Sequence, residues 1–475
     1  MTPSPRSPAL PSRGWTRQPD SSSSGTLPGV TIQATTASTP RVPRRAPSDL
    51  PFRFADRGLA QALAAERGEP AWLRAERIEA WKAFEALPVE ANQLYTPYID
   101  LRAASLDAVR PYVKDGPPGL GDDLEGLALP DGVHVESFGQ WLERDGAGFR
   151  ATLEGGASLP AGDKLAMLAR GFWSHGRHVE VADGVAVAEP IVLRWRAGTP
   201  GRALITRSIV SLGAGASASI VEEQVPSGPE VDCAAGEVVP QSLFHGTTEV
   251  SLAAGASLAI ASIQDLGPDQ VAFQHRHATI GEGASLHWAL AQLGGRLVRS
   301  RVDNRLEGDR SSVEQVEIVF GGEQQLFDLT SYTRHIGRDT TGNLLSKGAL
   351  LDRSRSFMKG LITIEKSAVG TDSFLGEFGM NLSKAARAVA IPSLEIDQPD
   401  CRRAAHSSSV GPIDPTQLFY LESRRIAPDE ARKFIVLGFL EPVVARVPLE
   451  SARDRLRDLL EAKWAAGLEA ASAAA

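Results

Sequence analysis

The sequence LGAGAS at residues 212–217 returns as LAAGAS at 252–257 and as IGEGAS at 280–285. Repeated turn chemistry of this kind, set between short apolar runs, is typical of a β-solenoid, whose coils bury their apolar faces against one another. The glycine before Ala-Ser in each copy permits the positive φ angle that a tight corner needs. The segments LEGDRS at 306–311 and LDRS at 351–354 are interpreted as degenerate later copies. Because the first three copies are 40 and then 28 residues apart, we predict a parallel β-helix with loops of unequal length rather than a strict hexapeptide solenoid.

The region around these copies, from His178 to Ile396, contains short runs in which apolar and polar residues alternate, such as 191–195 and 316–320. Helical periodicity is nearly missing, so the region is predicted to be all β. We therefore predict a mainly β protein with a right-handed parallel β-helix core over residues 178–412.

Helical patterns flank the predicted core on both sides. Residues 49–177 are predicted to form an N-terminal helical and mixed domain, and residues 413–475 a C-terminal helical domain whose second helix begins at Pro428 and is interrupted at Pro442. Residues 1–48 are rich in Pro, Ser and Arg and are predicted to be a disordered extension, since they offer little apolar surface to bury.

Composition restricts the classes of function. A net charge of −8 leaves no electrostatic footprint for nucleic acid, and no apolar run reaches the roughly 18 residues of a membrane span. We find no signal-peptide pattern and expect a cytoplasmic protein, because two cysteines, Cys233 and Cys401, cannot form a disulfide framework. An all-cysteine iron–sulfur site needs four thiolates, which this chain alone cannot supply.

The segment from Ile391 to Gly438 carries a set of ordered motifs: PSLEI at 392–396, a histidine before Val410-Gly411, and LFYL at 418–421 ahead of Arg424. This segment resembles the C-terminal signature of the SufB/SufD family, the β-helical scaffold subunits of the SUF iron–sulfur cluster assembly machinery. The resemblance extends over most of the chain from about Glu69. Its other matching segments are 69–74, 325–328, 332–335, 347–349, 357–364, 371–374 and 381–382.

His406 is the candidate site residue that the resemblance implies, since a histidine here in SufD chains is implicated in cluster assembly at the interface with SufB. An imidazole can ligate iron or carry a proton at neutral pH. Many SufD chains have a cysteine two residues earlier, where this chain has Ala404, and Cys401 lies at an odd offset that would point it to the opposite face of a regular strand. Cys401 is therefore a weak candidate, interpreted as structural, and His335 is a weak second candidate ligand. The alternative for His406 is a solvated histidine at a β-helix edge.

The resemblance also implies the partners. The β-helix would pair with SufB, or with a second copy of this chain, and the C-terminal helices would dock the ATPase SufC. No cofactor is expected on the isolated chain, whereas iron or an iron–sulfur cluster would be held transiently at the SufB interface. An alternative is that the apolar residues named for docking form the core of their own domain. The docking candidates are Phe419, Tyr420, Arg424, Phe434, Phe439 and Leu440.

We predict a non-catalytic scaffold, since the sequence has no P-loop, dinucleotide fingerprint, HExxH or GxSxG motif. The SufD branch fits better than the SufB branch, which tends to carry His-Glu-Ala where this chain has His406-Ser407-Ser408. A SufB-type cluster scaffold stays open as an alternative. A carbohydrate-active β-helix enzyme is a further alternative, which would need paired carboxylates. The aspartates available for it are dispersed: Asp328, Asp339, Asp352 and Asp372.

Overall fold

The computed structural model describes residues 52–120, 129–155, 159–227 and 240–473. The predicted disordered extension at 1–48 and Cys233 lie outside the described residues. No helix in the part of the chain that the structure describes combines the length and apolarity needed to cross a bilayer.

The centre of the molecule is a parallel β-helix, as predicted. Strands alternate between two parallel sheets, so that one strand from each sheet makes a coil, and the described residues form about eight coils. Sheet A contains β3 (His175–Val181), β5 (Arg202–Leu212), β7 (Ser242–Leu252), β9 (Gln270–Ile280), β11 (Leu297–Leu306), β13 (Leu326–His335), β15 (Arg355–Ile364) and β17 (Arg387–Ile396). Sheet B contains β4 (Ile191–Ala197), β6 (Ser217–Pro226), β8 (Ser257–Gln264), β10 (Ser285–Gln292), β12 (Ser312–Gly321), β14 (Thr341–Leu350), β16 (Asp372–Asn381) and β18 (Arg403–Gly411). Two short strands extend sheet A, with β1 (Arg110–Pro111) pairing with β5 and β2 (Val133–Ser137) running antiparallel to β3.

The repeated sequence sets the register of the coils. Leu212 pairs with Leu252, Leu252 with Ile280, and Ile280 with Leu306, so the first apolar residue of each copy stacks on the next inside the solenoid. All four side chains are buried. A stack of this kind stabilises each coil only through its neighbours, which is why the pattern has to recur along the chain.

The glycine of each copy lies at the corner from sheet A to sheet B with a positive φ angle, 69° at Gly255 and 61° at Gly283. Arg310, in the predicted degenerate copy, takes the same conformation with a φ of 58°. The amide of Gly255 donates to the carbonyl of Glu282 in the next coil at 2.8 Å, so hydrogen bonding continues around the corner. The other predicted copy, at 351–354, lies at the opposite corner, between β14 and β15.

The irregular repeat spacing has a single origin. Ser217, Ser257, Ser285 and Ser312 are register partners at the start of successive sheet B strands, 40, 28 and 27 residues apart. The long interval contains residues 228–239, which lie outside the described ranges, whereas the short intervals are plain coils. The predicted β-helix with unequal loops is therefore confirmed.

The N-terminal helices cover the outer face of sheet A. Helix α5 packs on β5, β7 and β9, and its buried Leu165, Leu168 and Phe172 belong to one core with Ile205 and Phe273 of the sheet. Asp163 caps the first turn of α5 by accepting the amide of Ala166. The helices of this region are α1 (Arg57–Glu66), α2 (Ala71–Ala86), a 3-10 turn (Thr96–Tyr98), α3 (Phe138–Arg144), α4 (Gly146–Gly155) and α5 (Lys164–Phe172).

The C-terminal helices cover part of the outer face of sheet B. They are α6 (Pro415–Glu422), α7 (Pro428–Val444) and α8 (Glu450–Ala473). Val436 of α7 and Leu456 of α8 are buried against Ala261 and Ile318 of the sheet. The interruption predicted at Pro442 is wrong, because the helix continues to Val444. The proline falls in its last turn, where the missing N–H removes one hydrogen bond and the chain can still complete the turn.

Candidate functional site at the open end of the solenoid

The last coil, formed by β17 and β18, is open on one side. In the described residues β17 pairs only with β15, and β18 only with β16. Ile396 is 46% exposed and Val410 40% exposed, although Ile364, the register partner of Ile396 in the preceding strand, is fully buried in the solenoid interior. An edge strand with apolar side chains and unpaired backbone groups is a template for pairing with another chain. We call β17 and β18 together the open end.

His406 lies on β18 and is exposed. Its register partner is Leu375, which is buried in the solenoid interior with Leu344 and Ile362. Because register partners in a parallel sheet point to the same face, the imidazole lies on the interior side of the sheet at the uncovered end. Ala404, two residues earlier, packs against the same interior cluster.

No group of three or more His, Cys, Asp or Glu side chains that could hold a metal ion occurs within the described ranges. His406 therefore offers one nitrogen ligand at an edge, and the structure brings neither weak candidate to it as a hydrogen-bond or ion-pair partner.

Cys401 precedes the first residue of β18 and lies, half-buried and with a free thiol, in the turn that leads into this strand. Because Cys401 lies outside the strand, the alternation of strand side chains does not set the direction of its thiol. The odd spacing from His406 therefore does not show that the two side chains lie on opposite faces.

His335 occupies a core position. It stacks between Leu306 and Ile364 in the column of apolar residues inside the solenoid. Its Nδ1 lies 2.8 Å from Thr340 Oγ1 and its Nε2 3.0 Å from Ser373 Oγ, so both ring nitrogens have hydrogen-bond partners. Burial lowers the pKa of His335 to about 4, which keeps the ring neutral at physiological pH.

The C-terminal helices present three exposed aromatic side chains, Phe419 (71% exposed), Tyr420 (54%) and Phe434 (61%), which we call the aromatic surface. Helix α6 buries none of its residues. The guanidinium of Arg424 lies over the ring of Tyr420, 4.3 Å from its centroid, in a cation–π contact.

The other two docking candidates pack within the chain. Leu440 is fully buried between α7 and sheet B. Phe439 is partly buried, with the ammonium of Lys347 4.7 Å from its ring centroid, and the same ammonium donates to the Phe439 carbonyl at 3.0 Å. The alternative expected from sequence, that these apolar residues form the core of their own domain, therefore holds for Leu440 and in part for Phe439. It is wrong for the three aromatic residues of the aromatic surface, which are exposed.

A cavity of about 270 Å³ lies between the solenoid corners at residues 351–352 and 381–383 and the C-terminal helices. Its apolar wall contains Leu351, Leu382, Ile413, Leu418 and Trp464. Asp352 and Arg432 lie at its polar side.

A buried carboxyl next to the open end was not found from sequence. Glu377 of β16 is buried in the solenoid interior, and its Oε2 accepts the amide of Ile391 in β17 at 2.7 Å. Burial raises the pKa of Glu377 to about 8, against the opposing effects of the Ile391 amide and Lys359. In the sequence, Glu377 follows Ser373 and Leu375 at every second position of one strand. This alternation places its carboxyl on the same face as these two residues, which is the buried face.

A second buried charged cluster, also not found from sequence, joins the N-terminal region to sheet A. Arg299 donates to Glu90 at 2.7 Å and to Asp328 at 3.0 Å, and Lys359 pairs with Asp328. All four side chains are buried. Asp328 is thus a structural partner of two cations.

The other three aspartates considered for carbohydrate chemistry lie apart from Asp328. Asp339 and Asp352 are at opposite corners of the solenoid, and Asp339 pairs with Arg402. Asp372 pairs with Arg403 at 2.6 Å. The structure therefore does not bring these carboxylates together as a pair.

Comparison with known proteins adds a family to this geometry. Residues 195–439 match the family model described as SUF system FeS cluster assembly, SufBD core domain. The chain is 30% identical to the iron–sulfur cluster assembly protein SufD of Bacillus subtilis over 223 residues, which cover 47% of this chain and 51% of that protein. It is also 30% identical to a SufBD family protein of Mycobacterium leprae over 225 residues, 46% of this chain and 57% of that protein.

The chain thus spans about half the length of these two relatives. A SufBD family protein of Staphylococcus haemolyticus is 23% identical over 446 residues, which cover 85% of this chain and 93% of that protein.

Proposed function

Because the chain belongs to the SufBD family of iron–sulfur cluster assembly proteins, we propose that it is a SufD-type scaffold subunit, without catalytic activity of its own, of a cytoplasmic SufBCD complex. The observation that carries the proposal is the open end, an uncovered coil that carries His406 within the matched family region. The complex would assemble iron–sulfur clusters that no single chain holds.

The open end is the surface proposed to pair with a SufB-type β-helix. Its two strands belong to different sheets, so a second solenoid could extend both sheets at once. The apolar side chains of Leu394, Ile396 and Val410 would become buried in the contact, and the free backbone groups would gain partners. Pairing of two copies of this chain through the same strands is the competing arrangement.

His406 is proposed to act at that contact. Iron or a forming cluster is the cargo here, and one imidazole cannot hold it alone. The remaining ligands would come from the partner, which places the assembly site between two chains. Iron would therefore reach His406 only while the contact between the two chains is open enough to admit it.

The aromatic surface is proposed to dock the ATPase SufC. Exposed phenylalanine and tyrosine side chains on helices are common anchors in protein interfaces. Phe419, Tyr420 and Phe434 are available for this role. Since α7 and α8 pack directly on sheet B, a displacement of these helices during ATP hydrolysis would be transmitted to the solenoid and could shift the contact at the open end.

The test is co-expression of the chain with SufB and SufC, comparing wild type with His406→Ala. We expect the complex to form in both and the iron or cluster content per complex to fall at least fivefold in the variant. His134→Ala, which removes another exposed histidine, on β2, is the matched control and should load as wild type does. A chain that does not co-purify with SufB or SufC would contradict the scaffold role, and unchanged loading in His406→Ala would contradict the role of His406.

A further inference from the structure

Glu377 joins the two sheets at the point where the solenoid ends. It belongs to β16 of sheet B, yet its Oε2 accepts the amide of Ile391, which belongs to β17 of sheet A. The 2.7 Å bond therefore crosses the interior of the last coils. The residue after Ile391 is Pro392, which has no N–H to donate.

The surroundings of Glu377 are nearly free of charge. Lys359 of β15 is the cation whose charge opposes the effect of burial on Glu377, and this ammonium is already paired with Asp328. The phenol of Tyr95 is close enough to interact with the carboxyl, and burial raises the pKa of this phenol, so it stays neutral. Ser408 of β18 is the register partner of Glu377.

His406 is the remaining titratable group on this face, two residues before Ser408 on the same side of β18. The carboxyl of Glu377 is also tightly packed. A Cβ added at Gly360 would come within 2.9 Å of Glu377 Oε1.

We propose that Glu377 is a positioning residue of the open end, whose carboxyl holds strand β17 in place while it keeps its proton and releases the strand when the proton is lost. A neutral carboxyl accepts the Ile391 amide without placing a charge in the interior. A carboxylate at the same place is poorly solvated, and exposing it to water requires β17 to move away.

The direction of the pH effect follows from burial, which raises the pKa of Glu377 to about 8. In the open state the carboxyl is solvated and ionises near the ordinary glutamate value of 4.5. Between pH 4.5 and about 8 the closed state therefore holds a proton that the open state has lost, so opening becomes more favourable as pH rises, by up to tenfold per pH unit. Above about pH 8 both states are ionised and the opening equilibrium no longer changes with pH.

The consequence for partner binding rests on the proposed function. If the open end pairs with a SufB-type chain, Glu377 regulates that pairing by keeping β17 in the geometry that the partner meets. The release of β17 itself does not depend on any partner.

The test is amide-resolved hydrogen exchange on the isolated full chain between pH 5 and 9.5, with rates corrected for the intrinsic pH dependence of exchange. The protection factor of Ile391 is expected to fall by up to tenfold per unit as pH rises to about 8 and to be constant above it. The amide of Leu293 in the covered coils, bonded to Gln264 O at 3.0 Å, should show no such dependence.

Glu377→Gln keeps an oxygen acceptor and cannot ionise, so its Ile391 protection should stay constant with pH. Glu317→Gln is the matched control, because Glu317 is also buried in the interior and its pKa is also raised by burial, but it lies on β12, away from the open end. In Glu317→Gln, Ile391 protection should keep the wild-type dependence on pH. Gly360→Ala, which crowds the carboxyl, should lower Ile391 protection at every pH.

The proposal would be overturned if Ile391 protection in wild type did not change with pH. It would also be overturned if the pH dependence persisted in Glu377→Gln. If Glu377→Gln does not fold, the wild-type profile and Gly360→Ala still decide it. Because no partner is present, failure to co-purify with SufB would count against the proposed function and leave this result unaffected.

Discussion

The fifth and the seventeenth strands of the molecule have similar lengths and opposite surroundings. In β5 nine of eleven residues are buried, because α5 covers its outer face and strands lie on both sides. In β17 no residue is buried. The same repeated coil is therefore a buried core where helices and neighbouring strands cover it, and an exposed surface where the cover stops.

The first coil shows how the covering works. Strand β2 pairs with β3 on its free side, and Trp141 of α3 stacks on His178 with ring centroids 3.4 Å apart. Nothing comparable lies over β17 and β18 in the parts of the chain that the structure describes. The contrast predicts that changes in the covered region alter folding, whereas changes at the open end and the aromatic surface alter association.

The largest effect on folding is expected for Arg77→Ala in the covered region. Arg77 is fully buried, donates to both carboxylate oxygens of Glu69 at 2.7 and 2.6 Å, and lies over the ring of Trp173. Its loss leaves a buried carboxylate without a cation, which costs about 3–5 kcal/mol of unfolding free energy. Urea denaturation measures the change. Arg57→Ala, on the exposed face of α1, is the control and should change stability by less than about 0.5 kcal/mol.

A matched pair of leucines compares the two regions directly. Leu286→Ala, inside the covered coils, should lower the unfolding free energy by about 2–5 kcal/mol, because it leaves a cavity that cannot collapse. Leu394→Ala, at the half-exposed open end, should cost about 1 kcal/mol or less, since water already reaches the side chain. Equal losses in urea denaturation would show that the open end is as well packed as the core.

The covered region should also show a pH dependence centred on His275. Burial alone would lower the pKa of His275, but the carboxylates of Asp163 and Asp303 outweigh it and raise the pKa. Its stabilising effect is then complete below pH 6.5 and is lost as pH rises through the folded pKa. Thermal unfolding should show this alkaline loss in wild type and not in His275→Gln.

Asp303, in the same cluster, should make stability depend on pH in the opposite direction, at acidic pH. Although burial opposes it, Arg301 and His275 lower the pKa of Asp303 to about 2. The corresponding stability, about 2 kcal/mol, is present above pH 3.8 and is lost as pH falls toward 2. Asp303→Asn should remove this loss. An acid transition identical to that of wild type would contradict the assignment.

The smallest effect on folding is expected at the aromatic surface. Phe419→Ser and Phe434→Ser should leave the unfolding free energy within about 0.5 kcal/mol of wild type, because both rings are mostly in water. Under the proposed function each should weaken binding of SufC at least tenfold in a titration. Leu440→Ala is the contrasting variant, and it should destabilise the chain because Leu440 is buried against sheet B.

The sequence was sufficient for the fold because the fold is a repetition. One motif with an apolar residue and a glycine corner, seen three times, predicts coils that stack, and the structure has Leu212, Leu252 and Ile280 in one column. The degenerate copy LEGDRS keeps the same corner because Arg310 adopts the backbone conformation of the glycine that it replaces.

The buried charges could not be predicted in the same way. Arg299 and Glu90 are 209 residues apart in the chain, and no local pattern brings them together. Glu377 accepts an amide from the other sheet, which depends on how the two sheets converge at the last coil. His406 was selected by family resemblance, whereas the side of the strand on which it lies follows only from its pairing with Leu375.

The proposal that a partner chain binds at the open end can be tested by hydrogen exchange on this chain, alone and with a SufB-type partner. Residues 387–396 and 403–411 should exchange more slowly in the complex, while the exchange of β5 through β11 should be unchanged. Protection confined to the covered coils, with β17 and β18 exchanging as in the free chain, would contradict it.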